Sequence, residues 1–275
     1  MTENLSEVKE DKEFLESKKT AADLLNLYKS DPRQKTFNLL LLGEMGTGKT
    51  FLARTARKPI LFHSFDPGGT KSVRDMIEAG DIIADTRYES ENPMKPSMFP
   101  IWQKEMDRLD KEGVFKHFGT FIIDSSTSWA EMIMNDILKR AGIPGQAPRF
   151  THDYTPQKTL IRNFIRQCLD LPCDFILTGH LAMHTDEVSK RISYRYATTG
   201  QGTVTIPTLF DEVWVMDPKT SSNGTTYRIL TQSTGTHACR SRLSSTGKLE
   251  QYEEPNIKNI LKKVGLNYED KPRLI

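Results

Sequence analysis

The chain is short of sulfur, of long apolar runs and of net charge, and each shortage removes a class of protein. Three cysteines (Cys168, Cys173, Cys239) are too few and too scattered for a disulfide framework, and no CxxC pair offers a zinc site. A reducing, intracellular setting is the expectation. No stretch approaches the ~20 apolar residues of a membrane span; ahead of the first glycines the longest apolar run is Leu39 to Leu42. The opening MTENLSEVKEDKEFLESKK lacks an apolar core, so no signal peptide, no membrane contact and a cytoplasmic location are expected. Lys plus Arg total 38 against 36 Asp plus Glu, a net charge of +2. That balance excludes a tail-driven, histone-like binder but leaves room for a local basic surface. Internal repeats and Gly/Ser linkers are also missing.

What is present is an ordinary globular chain of 275 residues, long enough to bury a large core. Short apolar runs recur at Phe37 to Leu42, Ile60 to Phe65, Thr120 to Ile123, Asp174 to Thr178 and Glu212 to Met216. Near-continuous apolar runs of that length suit strands buried on both faces of a parallel sheet. Helical spacing lies between them, in Trp102, Met106 and Leu109, and again from Leu160 to Leu169. The pattern predicts an α/β fold, a mostly parallel sheet flanked by helices, with a C-terminal antiparallel hairpin formed by TTYRIL and THACRSRL. The expected divisions are a charged N-terminal segment with a short helix over Ala21 to Tyr28 (1–35), a core (36–245) and a tail with a short helix (246–275). Residues 1–19 are expected to be disordered or loosely helical. The stretch from Thr86 to Pro100 reads as an inserted loop.

Residues 43–50, GEMGTGKT, carry the clearest chemistry. They match GxxxxGK[ST] directly after an apolar strand. The glycines let backbone N–H groups approach phosphate oxygens, Lys49 supplies a point charge to the β and γ phosphates, and Thr50 offers a hydroxyl to Mg²⁺. The nucleotide-binding set is therefore Gly43, Glu44, Met45, Gly46, Thr47, Gly48, Lys49, Thr50 and Phe51, opening a helix over about Lys49 to Arg57. Asp124, closing the run TFIID, is the expected second metal-side residue, acting through water; alternatively it only caps the helix that follows.

These segments resemble the RecA-like P-loop ATPases, and most of all the short phage-encoded recombination and single-strand annealing ATPases. The resemblance rests on GEMGTGKT, SFDPGGTKSV, TFIIDSSTS, YTPQKTLIRNFIRQCLDLPCDFILTGH, IPTLFDEVWVM and RILTQSTGTHACRSRL, and covers residues 36–245. It implies a RecA-like core that binds and hydrolyses ATP with Mg²⁺. It also implies homo-oligomers, ring or filament, with ATP at subunit interfaces, single-stranded DNA as partner, and recombination or strand annealing in the cytoplasm of a phage host. A single-strand-binding protein is a further candidate partner. The family places a catalytic glutamate before a glycine pair; here Pro67 stands in that place after Asp66. Either Asp66 orients the attacking water, or Asp66-Pro67-Gly68-Gly69 is simply a turn. His180 matches the position of the family's γ-phosphate sensor; a surface or core-edge histidine with a backbone partner is the alternative. Arg240 and Arg242, two apart on the last expected strand, match basic residues that reach a neighbouring subunit's nucleotide; a solvated basic edge is the alternative.

Two segments could face DNA. One is Ala141 to Asp153, with Arg149; the other runs from His184 to Thr205, with Lys190, Arg191, Tyr194, Arg195 and Tyr196 before TTGQGT. Cations mixed with aromatics suit phosphate tracking and base stacking. On the residues alone a solvated hairpin or lid fits the second segment better, because it also holds Asp186 and Glu187; the resemblance turns that reading toward DNA. Other functions open at this point are a P-loop motor or helicase loader, a small-molecule or nucleotide kinase, and an ATP-dependent switch without turnover.

Overall fold

The computed structural model describes residues 3–198, 200, 202–222 and 224–275. Its centre is a set of parallel strands: β1 (Asn38–Leu42), β2 (Ile60–Ser64), β3 (Ile82–Asp85), β4 (Thr120–Asp124), β5 (Asp174–Gly179) and β8 (Glu212–Met216). Every residue of β1, β2, β4, β5 and β8 is buried, which is why they read as unbroken apolar runs rather than alternating ones. Short antiparallel strands extend the sheet beyond β8: β11 (Ile229–Leu230), β12 (Arg240–Ser241) and β13 (Tyr252–Glu253). The order is β13-β11-β8-β1-β5-β4-β2-β3, with β12 also on β8. One strand, β5, separates β1 from β4, so the phosphate loop and Asp124 emerge side by side at the carboxyl edge with β5 between them.

Alternation along the strands fills two layers. Leu40, Leu42, Phe121, Ile123, Phe175 and Leu177 point to the face covered by α4 (Met98–Lys111), α5 (Ser126–Arg140) and α6 (Phe150–Leu169). Leu39, Leu41, Ile122, Ile176 and Trp214 point the other way, to α2 (Lys49–Leu52), α3 (Arg74–Glu78) and α8 (Ile257–Val264). Below the sheet, at its amino edge, Arg57 and Asp174 form a two-pronged ion pair at 2.6 and 2.8 Å, and Asp174 also accepts the Phe37 N–H at 2.9 Å. Both side chains are buried, so each charge depends on the other.

Four expectations meet a different structure. Residues 3–30 are one continuous helix, α1 (Glu3–Ser30), rather than a disordered segment before a short helix; Met1 and Thr2 lie outside the described residues. TTYRIL and THACRSRL do not pair with each other. Their strands β11 and β12 lie end to end against β8, and the hairpin forms upstream, between β9 (Lys219–Ser221) and β10 (Gly224–Thr226). Helix α6 begins at Phe150, so the last four residues of the expected 141–153 loop are its first turn. The loop from Thr86 ends at Ser97, after a 3-10 turn over Arg87–Ser90, and β3 extends the sheet at an edge that its half-buried side chains did not announce.

From the carboxyl end of β5 a hairpin leaves the sheet, made of β6 (Leu181–Thr185) and β7 (Ile192–Tyr196), and a short helix α7 (Gly202–Thr205) follows it. Thr199 and Gln201 of the expected TTGQGT loop lie outside the described residues.

His63 on β2 is fully enclosed and accepts the Trp102 indole N–H at Nδ1, at 3.1 Å. Burial pushes its pKa down to about 4, against the opposing pull of Asp85 and Glu105. Its folded value lies below the unfolded one of about 6.5, so the stability it permits is complete above pH 6.5 and is lost as pH falls towards 4. Denaturant titrations should show a loss on the order of 2–3 kcal/mol between about pH 7 and pH 4.5 that His63→Gln largely removes. Identical pH slopes in the two proteins would place that titration on another group.

Candidate active site

The loop after β1 is shaped by three glycines. At Gly43 a Cβ would fall 2.5 Å from Thr47 Oγ1 and 3.1 Å from Met216, and Gly46 and Gly48 adopt φ of 77° and 90°, which disfavours L side chains. Thr47 braces the turn by donating to Glu44 O at 2.9 Å. Helix α2 is short, four residues continued by a 3-10 turn over Ala53–Thr55, rather than the nine residues expected. Lys49 is buried, and its ammonium donates to the carbonyls of Gly43 and Glu44 at 3.0 and 2.8 Å, at the mouth of the loop. Burial lowers its pKa, while Asp124, Asp66 and Glu44 hold the charge in place.

Asp124 closes β4 with its carboxylate almost wholly buried. Thr50 donates to Oδ2 at 2.6 Å and Thr178, at the end of β5, donates to Oδ1. Burial raises the Asp124 pKa; the two hydroxyls and Lys49 work against that. A hydroxyl and a carboxylate on one short contact are the donors Mg²⁺ takes from a protein when phosphates and waters complete its shell. Among the described residues there is no cluster of three His, Cys, Asp or Glu that could hold a metal by itself. Thr50 and Asp124 therefore fit an ion that arrives with a phosphate.

Asp66 sits in a turn and at the edge of the cleft at once. It is a turn residue, its carbonyl accepting the Gly69 N–H at 2.8 Å, and its carboxylate also borders the cleft beside Lys49 and Asp124. Ser125 donates to its Oδ1 at 3.1 Å and Ser128 donates to the same oxygen, whereas Oδ2 takes part in neither bond. The turn itself is anchored by Glu89, whose Oε2 accepts the Gly68 N–H at 2.9 Å. His180 lines the same cleft, half-buried; burial and the Lys49 charge keep its pKa low, so near neutrality it is an uncharged ring. This cleft holds about 330 Å³, and on the far side of Gly48 a mostly apolar pocket of about 340 Å³ lies between Phe51, Leu52, Met216, Tyr227 and Pro255. Phosphates in the first and a flat ring in the second is the arrangement of a nucleotide.

The remaining candidates lie outside this cleft. Arg240 and Arg242 sit by the amino end of β8, the end away from the phosphate loop, where Arg240 donates to Thr208 O at 2.9 Å and Arg242 pairs with Asp211 at 2.6 Å. The strand stops at Ser241, so only Arg240 is on it, although both face the 208–211 segment. Arg149 is bound to Asp153 through its N–H and its guanidinium and organises the first turn of α6. In the hairpin, Lys190 (φ 56°) stands in the turn and Arg191 donates to Gly235 O at 2.7 Å. Arg195 is exposed and has no partner among the described residues. Tyr196 cannot stack on a base: it is 4% exposed and packs beneath Gly179, where any Cβ would meet its ring at 2.7 Å. Tyr194 is half-buried, one face taken by His237 at 5.0 Å between ring centres.

Sequence reasoning missed Thr178, Ser125, Ser128 and the Tyr227 pocket. The two serines carried a signal, since positions i and i+3 at a helix start share a side. Thr178 shows its role only once β5 lies beside β4.

A family model described as AAA domain matches residues 35–243. No curated protein matches the chain in sequence. Among solved structures, the KaiC-like protein PH0186 from Pyrococcus horikoshii OT3 is similar at 15% identity and a TM-score of 0.40, over 72% of this chain and 79% of that one. The flagellar accessory protein FlaH from Methanocaldococcus jannaschii is similar at 11% identity and a TM-score of 0.41, over 78% of this chain and 83% of that one.

Asp66→Asn keeps an oxygen for Ser125 and Ser128 but removes the charge. Nucleotide hydrolysis should fall at least about 100-fold while nucleotide affinity changes little, as expected for loss of a group that orients and deprotonates water. Turnover near wild type in a phosphate-release assay would leave Asp66 with its turn alone.

Proposed function

The chain belongs to the AAA domain family, and from that premise we propose that this P-loop ATPase hydrolyses ATP with Mg²⁺, assembles with copies of itself and uses the cycle to act on single-stranded DNA in recombination or annealing. The observation that carries the reading is continuity. His180 borders the phosphate cleft, β6 begins at the next residue, and the Ala197 N–H beyond β7 donates back to His180 O at 2.8 Å. In this reading His180 meets the terminal phosphate, and a hairpin closed on it would respond to the loss of that phosphate.

In the reaction, loop N–H groups and Lys49 hold the phosphates and balance their charge. His180, as a neutral ring, donates to a γ-phosphate oxygen. Asp66 holds a water with Oδ2 while the two serines fix its Oδ1, so the carboxylate need not reorganise. Thr50, and Asp124 through water, would hold a Mg²⁺ ion, which would supply further charge neutralisation at the phosphates. Phe51 and Tyr227 receive the base. The hairpin offers Lys190, Arg191 and Arg195 to a phosphate backbone.

Exposed apolar surface supports self-assembly. Met45 is 91% and Phe51 56% exposed at the rim of the cleft, where a second copy would cover them. All described side chains from 12 to 30 on α1 are exposed, and Phe14, Leu15, Leu24, Leu25, Leu27 and Tyr28 are each more than half so. Those six present on the order of 600 Å² of apolar surface, the upper end of what a lone chain leaves uncovered in one patch. Arg240 and Arg242 would meet a nucleotide only across such an interface.

Phosphate release should rise roughly 5-fold or more when unstructured single-stranded DNA is added, the range of an ordinary coupling energy. The same rate with DNA demonstrably bound would refute coupling, and phosphate transfer to a small acceptor would favour a kinase. In light scattering with ATP, Leu24→Glu combined with Leu27→Glu should reduce the assembly to the 31.4 kDa single chain. An assembly of unchanged mass would show that α1 is not its interface.

A further inference from the structure

The segment between β11 and β12 leaves the sheet edge, reaches the hairpin and returns. Its neck is closed by Ser233, whose Oγ donates to Cys239 O at 2.7 Å and accepts the Cys239 N–H at 3.0 Å. Its tip meets the hairpin at three points. Tyr194 N–H donates to Thr236 O at 2.7 Å, Arg191 donates to Gly235 O at 2.7 Å, and the Tyr194 and His237 rings stack at 5.0 Å with 12° between planes. Between tip and hairpin lies a cleft of about 380 Å³, large enough for a nucleotide unit.

We propose that this cleft binds the sugar–phosphate backbone of a single-stranded nucleic acid, with Arg195 as its free cation and the Tyr194–His237 pair as a platform for one base. The proposal rests on the reading of single-strand binding above and adds a wall to it, the 233–238 loop. The chemistry of the lining favours this ligand over an apolar segment. The Arg195 guanidinium, without a partner among the described residues, is a donor to phosphate oxygens, and such a contact carries no sequence preference. Tyr194 and His237 are both only part-buried, and an aromatic face accepts any base. One carboxylate borders the cleft, that of Asp186. It is turned to its own loop, with Oδ1 accepting from the Val188 and Ser189 N–H groups and from the Ser189 hydroxyl. The parts are already bonded together, so binding orders little new backbone. Because the hairpin closes on His180, a strand in this cleft lies on the same rigid piece as the phosphate sensor.

The test is the binding of a fluorescent dT oligomer to the full chain with ATP and Mg²⁺, across a salt series, with thermal midpoints checking that each variant is folded. Arg195→Gln should reduce the slope of log K on log salt by about 0.7, the loss of one phosphate contact, and Arg195→Lys should restore it. His237→Ala should weaken binding roughly 5- to 100-fold at fixed salt and leave the slope unchanged, because stacking is not ionic. If the wild-type chain binds dT and both Arg195→Gln and His237→Ala match it in affinity and slope, the cleft is not the site, and single-strand binding stands on other contacts. If the wild-type chain binds no single strand at all, the cleft and the broader reading fall together.

Discussion

A carboxylate sealed from water needs partners on both oxygens, and Asp124 finds them on two different elements. Thr50 reaches it from the helix that follows the phosphate loop, and Thr178 from the strand that lies between β1 and β4. That pair of bonds locks three structural units at one point: the loop that holds phosphates, the strand that carries the acid, and the strand that runs on into the hairpin. Lys49 and Asp66 take their places around this junction, each feeling the Asp124 charge, and so does His180 two residues beyond Thr178. Moving Asp124 would disturb every other member of the site.

The sheet divides its labour between its two edges. At the carboxyl edge the backbone is open and polar groups face a cleft. At the amino edge the chain is closed by charge pairs. Arg57 and Asp174 are buried there, and the final segment runs across nearby, with Asp270 accepting the Lys58 N–H and Lys271 donating to the carbonyls of Lys116 and Pro172. Dense bonding below leaves the strand ends above free to hold loops in unusual conformations without loss of register.

Legibility followed the reach of each interaction. The phosphate loop and the buried strands were readable because backbone geometry and two-sided burial act on adjacent residues; the five expected strands fall within a residue of those observed. Asp66 could be named but not assigned, because what orients it, Ser125 and Ser128, comes from another strand and helix. Tyr196 was misread for the same reason. An aromatic among arginines looks like a stacking residue until Gly179 opens a place for its ring. Arg240 lies on an interrupted edge strand with Arg242 just past its end, and no local pattern records that β11 and β12 share β8 instead of each other. Helix α1 reads as charged and weakly patterned, and its described side chains from 12 to 30 are all exposed.

The split of that edge strand has a consequence for how this molecule can change over generations. Because β11 and β12 are each registered directly on β8, residues can be gained, lost or exchanged between them without sliding either strand. The hairpin opposite is different: Tyr196 under Gly179 and the bond from Ala197 to His180 fix its base, while its turn is free of the sheet. Two tips are thus mounted on one fixed frame. Related chains could alter what they grip by rewriting the tips, with the machinery that spends nucleotide left as it is.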